Sequence, residues 1–225
     1  MAFRFDIITL FPEAFQGLGH SMLYQAQANG LIELHLHNLR DYGLGKRKQV
    51  DDQVYGGGAG MLLMVEPIVS ALENVKKTVP NAKVGLLTPR GKLYNQRLAT
   101  ELSQAEGLTL ICGHYEGVDE RLNDYLDFEV SIGDYVLTGG EIPAMVVVDS
   151  VARLIDGVLG DTESNMDESH SYQLLEYPQY TRPLDFRGKK VPEILVSGDH
   201  QAVIDWRREQ SITKTRKSRP DLLEL

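Results

Sequence analysis

The sequence predicts an α/β fold built on a parallel β-sheet with helices on both faces. Two observations support this prediction. Short apolar strands alternate with segments of helical periodicity over the first 160 residues, and three successive predicted strands each end in a loop rich in glycine and polar residues. Because ligands bind beyond the carboxyl ends of parallel strands, the loops at 88–91, 113–117 and 133–140 are candidate walls of one site.

The predicted elements of this region follow one another in a regular order. Alternating or continuous apolar runs predict strands at Phe3–Thr9, 32–37, 84–87, 108–112 and 128–132. Helical spacing predicts helices at 21–29, from Pro67 onward, and at 95–103, 118–126 and 141–154. Residues 88–91 are predicted to form a turn, and the polar, glycine-rich residues 41–60 a long loop.

The composition changes after Gly160. Residues 161–172 are polar and acidic without periodicity, which predicts a linker. Residues 173–198 show no clear periodicity of apolar residues, and a helix is predicted from Gln201. We therefore expect a main domain at 1–160, a flexible linker at 161–172, and a small, mostly helical C-terminal domain at 173–225.

The composition limits the classes of function. Of the 225 residues, 42% are hydrophobic and 24% charged, which is typical of a globular protein, and the net charge of −9 means that nucleic-acid binding would depend on local basic patches. The single cysteine, Cys112, excludes an intrachain disulfide and fits a reducing cytosol. We find no signal peptide and no apolar run long enough to span a membrane, so a cytoplasmic location is expected.

The glycine-rich segment at 56–60 matches neither the dinucleotide-binding fingerprint nor the phosphate-binding loop. On spacing alone a flexible surface loop is the simpler interpretation. The alternative is a backbone that passes close to a flat ligand, where side chains would intrude.

Residues 112–117 (CGHYEG) allow two interpretations. Cys112 and His114 suggest a cysteine hydrolase, but side chains two residues apart need not meet. Cys112 also ends an apolar run, where a free cysteine behaves as a small hydrophobic residue. The second interpretation is favoured, with Gly113 and Gly117 providing backbone against a ligand.

Two further segments are candidates for binding. Residues 131–141 (SIGDYVLTGGE) offer backbone donors and acceptors with little bulk, although a tight turn would explain them equally well. Between Arg207 and Arg219 there are six basic residues and one acid, an excess that is typical of a phosphate-binding surface or of a solvated helix face. Residues 46–48 (KRK) form a smaller basic patch.

Taken together, these motifs resemble the bacterial tRNA (guanine-N1)-methyltransferases that modify the guanosine immediately 3′ of the anticodon. The resemblance extends over nearly the whole chain in one register, and the order and spacing of the motifs are specific where each alone is weak. The matching segments are 51–52, 55–58, 60–61, 112–113, 115–117, 119–121, 131–137, 139–141, 143–145, 149–151, 153, 157–160, 180–183, 197–198 and 219–220.

The resemblance implies a deep trefoil knot in the C-terminal part of the catalytic domain, of the SPOUT type. It also implies that the knot loops bind S-adenosylmethionine as methyl donor. The residues at matching positions are Leu87, Pro89, Gly113, Tyr115, Glu116, Ile132, Gly133, Asp134, Tyr135, Val136, Leu137 and Gly140.

The chemistry of the implied reaction requires a base and a cation. Guanine N1 carries a proton at neutral pH, so a carboxylate must remove it as the methyl group moves, and a cation stabilises the charge that develops on O6. The resemblance assigns Arg153 to O6. The family base is an aspartate before a serine, and the register places Glu168 there, before Ser169, with Asp167 as the alternative.

The resemblance further implies a homodimer whose sites are shared between subunits, with tRNA as partner, no membrane association and assistance from Mg²⁺, for which no site can be identified. Gln179 replaces a histidine found in many relatives. An RNA-binding module that has lost catalysis remains the alternative. The residues expected to contact tRNA are Asp51, Tyr55, Gly58, Ser169, Arg182, Arg207, Lys214 and Arg216.

Overall fold

A computed structural model of the chain describes residues 2–159, 169–170 and 174–223. The chain divides into two compact units, Met1–Gly160 and Asp161–Leu225. The base candidates Asp167 and Glu168 lie outside the described residues, as does most of the segment predicted to be a linker. That linker, and the functions expected of the two domains, stay predictions.

The first unit is an α/β structure, as the sequence predicts. Its strands are β1 (Phe3–Thr9), β2 (Ile32–Asn38), β3 (Asp51–Gln53), β4 (Met61–Leu63), β5 (Lys83–Leu93), β6 (Gly107–Cys112) and β7 (Phe128–Ser131). Its α-helices are α1 (Ser21–Ala28), α2 (Val65–Lys76), α3 (Gln96–Ser103) and α4 (Glu141–Ala152). Short 3₁₀ helices are formed by Pro12–Gly19, Leu39–Tyr42 and Glu120–Tyr125.

Five parallel strands form the central sheet in the order β2-β1-β6-β5-β7. All six residues of β6 are buried, because this central strand is covered on both sides. β5, β6 and β7 are neighbours in the sheet, so the loops that follow β6 and β7 meet residues 88–91 of β5 at one edge.

Apolar residues on the two faces of the sheet form two separate cores. On one face, Phe5 and Ile7 belong to a buried cluster with residues of α1, α3 and α4. On the other face, Ile8 belongs to a cluster with residues of α2 and the 3₁₀ helices. Successive side chains of a strand point to opposite faces, so the apolar run in β1 supplies both cores.

Three local predictions are wrong. The segment 118–126 contains only the 3₁₀ helix Glu120–Tyr125, because the carboxylate of Asp119 accepts a hydrogen bond from the Arg121 N–H and starts a short turn. Residues 88–91 form a bulge within β5, where Leu87 and Lys92 both pair with Val130. Residues 41–60 are not one loop, since β3 pairs with β4 as an antiparallel hairpin.

Within its described residues, the second unit contains a small hairpin, two 3₁₀ helices and one long helix. The side chain of Asp199 accepts a hydrogen bond from the Ala202 N–H and so caps the long helix. Thr215 is buried on this helix, and its hydroxyl accepts a hydrogen bond from the Leu175 N–H over 2.8 Å. The elements are β8 (Asp185–Phe186), β9 (Lys189–Lys190), the 3₁₀ helices Glu193–Val196 and Pro220–Leu223, and α5 (His200–Ser218).

Among the described residues, no helix is both long enough and apolar enough to cross a membrane.

Candidate functional site

A cavity of about 470 Å³ lies at the carboxyl ends of β6 and β7, beside the bulge in β5. The bulge after Leu87, the loop after Cys112 and the loop between β7 and α4 form its walls. This is the position predicted from the strand ends. The lining consists of residues 86–90, 113–118, 130–133 and 135–140, with Leu62, Glu120 and Pro143.

Two glycines let the backbone of neighbouring loops touch behind this cavity. The Gly140 N–H donates a hydrogen bond of 2.9 Å to the Gly113 carbonyl. A Cβ atom at Gly140 would lie 2.6 Å from Cys112 Cα and 2.8 Å from Gly113 N, and both of these are backbone atoms. A side chain at position 140 would therefore push the loop away from β6.

The loop after β6 is held in an uncommon conformation. Tyr115 has a positive φ of 59°, which non-glycine residues rarely adopt, and Gly117 has a φ of 118°. The Glu116 N–H donates to the Met61 carbonyl and the Gly117 N–H donates to the His114 carbonyl. These bonds place the Tyr115 and Glu116 side chains at the cavity wall.

The hairpin β3–β4 supports this loop from outside. A Cβ atom at Gly60 would lie 2.5 Å from Glu116 Cγ, and Gly60 also has a positive φ of 89°. The glycine-rich segment at 56–60 thus includes at least one position where close approach to a cavity residue requires glycine.

A buried carboxylate anchors the start of α4 beneath the cavity. Glu141 is 8% exposed and accepts a hydrogen bond of 2.7 Å from the Thr9 hydroxyl at the end of β1. As the first residue of α4, its negative charge lies at the positive end of the helix dipole. The end of the loop 132–140 is therefore fixed both by the first turn of α4 and by the hydrogen bond between Glu141 and the distant Thr9.

The rim of the cavity carries several charges. Glu116 and Glu120 both line it, and Arg90 donates to Glu120 over 3.1 Å, joining the β5 bulge to the Glu120–Tyr125 helix. Close to this rim, the hydrogen bond from Arg121 holds the pKa of the Asp119 carboxyl below its usual value. The lining thus carries two carboxylates and one guanidinium, and this net negative charge favours a cationic ligand in the cavity.

Cys112 lacks the environment of a nucleophile. Its side chain is 2% exposed within the hydrophobic core, and burial raises the pKa of the thiol well above its usual value, with a further increase from the charge of Glu141. A buried, protonated thiol does not attack a substrate. The structure thus favours the interpretation of Cys112 as a small core residue over the cysteine hydrolase.

The structure brings together almost all of the residues predicted to bind the donor. Eleven of the twelve line the cavity, whereas Asp134 is exposed and is not part of the lining. The sequence interpretation missed the contributions of Leu62 and Val118. These two residues reach the cavity through pairing of β4 with the chain after β6, which no local pattern reveals.

Arg153 lies away from this cavity. It caps the carboxyl end of α4, half-buried, thirteen residues beyond Gly140. At 1.5 Å per helical residue this is a separation of roughly 20 Å along the axis. The cavity and Arg153 are therefore at opposite ends of one helix.

The residues expected to contact tRNA are distributed over both units. Asp51 lies in β3, while Tyr55, which is 98% exposed, and Gly58 lie in the loop between β3 and β4. In the second unit, the Ser169 hydroxyl accepts a hydrogen bond from the Glu176 N–H. Of the remaining residues there, Arg207 is half-buried on α5, and the exposed ones are Arg182, Lys214 and Arg216.

No group of three or more His, Cys, Asp or Glu side chains within the described ranges is arranged to hold a metal ion.

Comparison with known proteins gives consistent results. The sequence model of the family described as "tRNA (Guanine-1)-methyltransferase TrmD" matches residues 3–225. A protein of Citrifermentans bemidjiense named tRNA (guanine-N(1)-)-methyltransferase is 55% identical over 223 residues, which cover 98% of this chain and 90% of that protein. Proteins with the same name from Dictyoglomus turgidum and Clostridium perfringens are 54% and 51% identical, covering 90% and 93% of their lengths.

Proposed function

From the premise that the chain belongs to the tRNA (guanine-1)-methyltransferase family and is an enzyme of this type, we propose that it methylates N1 of guanosine-37, the nucleoside 3′-adjacent to the tRNA anticodon. The methyl donor is S-adenosylmethionine. The observation that carries this proposal is the glycine-backed cavity at the ends of β5, β6 and β7, in a chain of this family.

The cavity fits such a donor. Its volume of about 470 Å³ suits a small-molecule ligand, and the close backbone packing at Gly113 and Gly140 leaves room for a flat adenine. Apolar side chains such as Leu87, Val130 and Leu137 cover a ring, while Glu116 and Glu120 complement a sulfonium cation. When bound, S-adenosylmethionine supplies an activated methyl group, so the protein itself need not form a covalent intermediate.

The knot implied by the resemblance is part of this proposal. The loop 132–140 returns from the edge strand β7 to pack against the chain immediately after β6, where Gly140 contacts Cys112 and Gly113. A loop so closely bound between neighbouring elements supports a knotted arrangement of this region.

The catalytic groups act on the guanine. Glu168, or Asp167 if the register shifts by one residue, removes the N1 proton, and the Arg153 guanidinium stabilises the negative charge that develops on O6. The register of the family motif favours Glu168. A dedicated cation at O6 is worth several kcal/mol in a site that excludes water, roughly 3–4 kcal/mol by comparison with single oxyanion donors.

The position of Arg153 supports a site shared by two subunits. Arg153 lies at the far end of α4 from its own cavity, so the guanidinium that reaches a bound guanine is that of the other subunit. The exposed side of α4 carries the apolar side chains of Ile142 and Val146, at 54% and 41% exposure. Exposed apolar side chains on a helix are often covered by a partner, and a second copy would cover these.

The second unit is proposed to bind the tRNA. Its exposed Lys214 and Arg216 supply positive charge for phosphates, and Arg182 and Arg207 are other residues of this unit that contact the tRNA. From the first unit, the exposed Tyr55 at the tip of the β3–β4 hairpin, with Asp51 and Gly58, approaches the anticodon loop. In this proposal 161–172 is a linker between the two units, and the enzyme works in the cytoplasm, where tRNA is found.

A direct assay tests this function. Incubation of the purified protein with labelled S-adenosylmethionine and unmodified tRNA bearing guanosine at position 37 should yield labelled 1-methylguanosine on nucleoside analysis. A tRNA with adenosine at that position serves as the control and should remain unlabelled. Donor and tRNA binding without transfer would instead favour the non-catalytic RNA-binding module. Labelling of another nucleoside would contradict the proposed target.

A further inference from the structure

The second unit contains a cavity of its own, of about 600 Å³, that the proposed reaction does not use. It lies between the amino-terminal half of α5 and the preceding chain, and all of its lining residues belong to the Asp161–Leu225 unit. Aromatic rings from Tyr177, Tyr180 and Trp206 contribute to its wall, together with the polar side chains of Arg182 and Arg207. A cavity with both aromatic and guanidinium groups is suited to a flat ligand that carries hydrogen-bond acceptors.

The geometry of Arg207 supports this. Its guanidinium carbon lies 4.8 Å from the centroid of the Tyr177 ring, in a cation–π arrangement that holds the guanidinium plane in place. The Arg207 Nε atom is buried and, among the described residues, has no hydrogen-bond partner. Burying an N–H donor without a partner is unfavourable, so the Arg207 guanidinium gains stability if it shifts to meet an acceptor atom of a ligand in the cavity.

The charge of this unit indicates an anionic partner. Residues 174–223 contain ten Lys and Arg against seven Asp and Glu, although the whole chain has a net charge of −9. Arg208, Lys214 and Lys217 are exposed on α5, beyond the cavity. A partner that offers both phosphates and flat aromatic rings is a nucleic acid.

The walls of the cavity argue for a base rather than a phosphate inside it. Apolar side chains of Leu184, Leu195 and Val203 line it alongside the aromatic rings. Apolar and aromatic walls stabilise a nucleobase by stacking and exclusion of water, whereas a phosphate group would lose its hydration there.

We propose that this cavity binds one unstacked nucleobase of the tRNA, other than the guanosine that is methylated, with an acceptor edge facing the Arg207 guanidinium. The inference rests on the proposed function, because it takes tRNA as the partner. The cavity would act as a second anchor on the RNA, independent of the donor site in the first unit.

Binding of a series of tRNAs, each lacking a single base in or near the anticodon arm, tests this proposal. For the wild-type protein, loss of one particular base away from position 37 should weaken binding about 5- to 100-fold, the range expected for loss of one stacked base. Arg207→Lys keeps the charge but removes the planar guanidinium, and Tyr177→Ala removes its stacking partner. Both should weaken binding of intact tRNA by a similar factor.

The decisive measurement combines the Arg207→Lys variant with the abasic tRNA. In Arg207→Lys, removal of that same base should cause little further loss, because the variant and the abasic tRNA disrupt one interaction. Phe186→Ala is the matched control, since this exposed ring of the same unit is not part of the cavity wall. It should show the wild-type profile, and so should Tyr177→Phe, which keeps the ring.

Two outcomes would overturn the proposal. If Arg207→Lys binds intact tRNA as the wild type does, Arg207 contributes charge only. If the loss of affinity caused by Arg207→Lys and the loss caused by base removal add at every abasic position, no base of the series occupies the cavity. Methyl transfer and donor affinity, measured on the same preparations, separate this failure from failure of the proposed function. A wild type that methylates tRNA, with variants whose affinities for intact and abasic tRNAs equal those of the wild type, rejects only the second base site.

Discussion

Because Gly140 has no side chain, two loops of the cavity can pack closely together. Its φ of −83° is accessible to any residue, so the requirement for glycine is steric and not conformational. The position that a Cβ atom would take lies within 2.8 Å of backbone atoms of both Cys112 and Gly113, which cannot rotate away as a side chain could. The contact between two cavity loops therefore depends on this one glycine.

We expect Gly140→Ala to weaken donor binding. Overpacking of this kind costs about 1–3 kcal/mol, which corresponds to roughly 5- to 150-fold in the dissociation constant for S-adenosylmethionine. Isothermal titration calorimetry measures the effect. Gly17→Ala is the control, because a Cβ atom there meets nothing within 4 Å. A folded Gly140→Ala variant with wild-type donor affinity would show that the loop contact does not shape the donor site.

At the scale of elements, a buried ionic network joins β1 to β2. Asp6 is fully buried and accepts hydrogen bonds from Arg4 Nε and Nη2, both 2.8 Å, and from His37 Nε2 at 2.6 Å. Burial by itself raises the pKa of the Asp6 carboxyl, but the hydrogen bonds from Arg4 and His37 outweigh it, and the net pKa lies below the usual 3.8. The network thus stabilises the ionised form of Asp6.

The sign of this shift determines the pH dependence of stability. A carboxyl whose pKa is lower in the folded state stabilises the fold above its usual value of 3.8, and this contribution is lost as the pH falls below that value. Asp6→Asn should therefore lower the free energy of unfolding by about 1–3 kcal/mol at pH 7, because it removes hydrogen bonds to a charged group. The difference from wild type should shrink at pH 3.

Urea unfolding at both pH values measures this prediction. Asp41→Asn removes the partner of Lys48 in an exposed ion pair and should change stability by less than about 1 kcal/mol. An equal effect of Asp6→Asn at pH 7 and pH 3 would mean that Asp6 stabilises the strands by packing and not by its charge.

At the scale of the whole molecule, the separation of Arg153 from the cavity raises the question of which subunit completes each site. If the guanidinium acts across a dimer, then Arg153→Ala and Gly140→Ala disrupt different parts of two composite sites. A heterodimer of these variants has one site with both defects and one with neither. If Arg153 acts within its own subunit, both sites of the heterodimer are defective.

Heterodimers purified through two different tags distinguish these cases. With sites shared between subunits, the heterodimer should methylate tRNA at about half the wild-type rate, while each mutant homodimer stays far below it. The Arg153→Ala homodimer should still bind the donor with wild-type affinity, because Arg153 does not line the cavity. A heterodimer no more active than the homodimers would reject the shared site.

The sequence by itself determined the class of fold and the place of the cavity. Periodicity and glycine punctuation are local signals, and they located most elements of the first unit and the loops after β6 and β7, whereas the turn predicted at 88–91 is a bulge within β5. Helix 118–126 was predicted wrongly because an apolar spacing alone does not distinguish a 3₁₀ turn capped by Asp119 from an α-helix. The short strand β3 was missed because it exists only through pairing with β4.

The tertiary structure decided which residues meet. Leu62 joins the cavity through a parallel contact between Leu63 and Val118, and Glu141 reaches Thr9 across 132 residues of chain. The same holds for the burial that raises the pKa of Cys112 and for the distance that keeps Arg153 from its own cavity. These properties depend on the three-dimensional arrangement of distant segments. Local patterns in a sequence record the preferences of neighbouring residues, and contacts between distant segments form only when the whole chain packs.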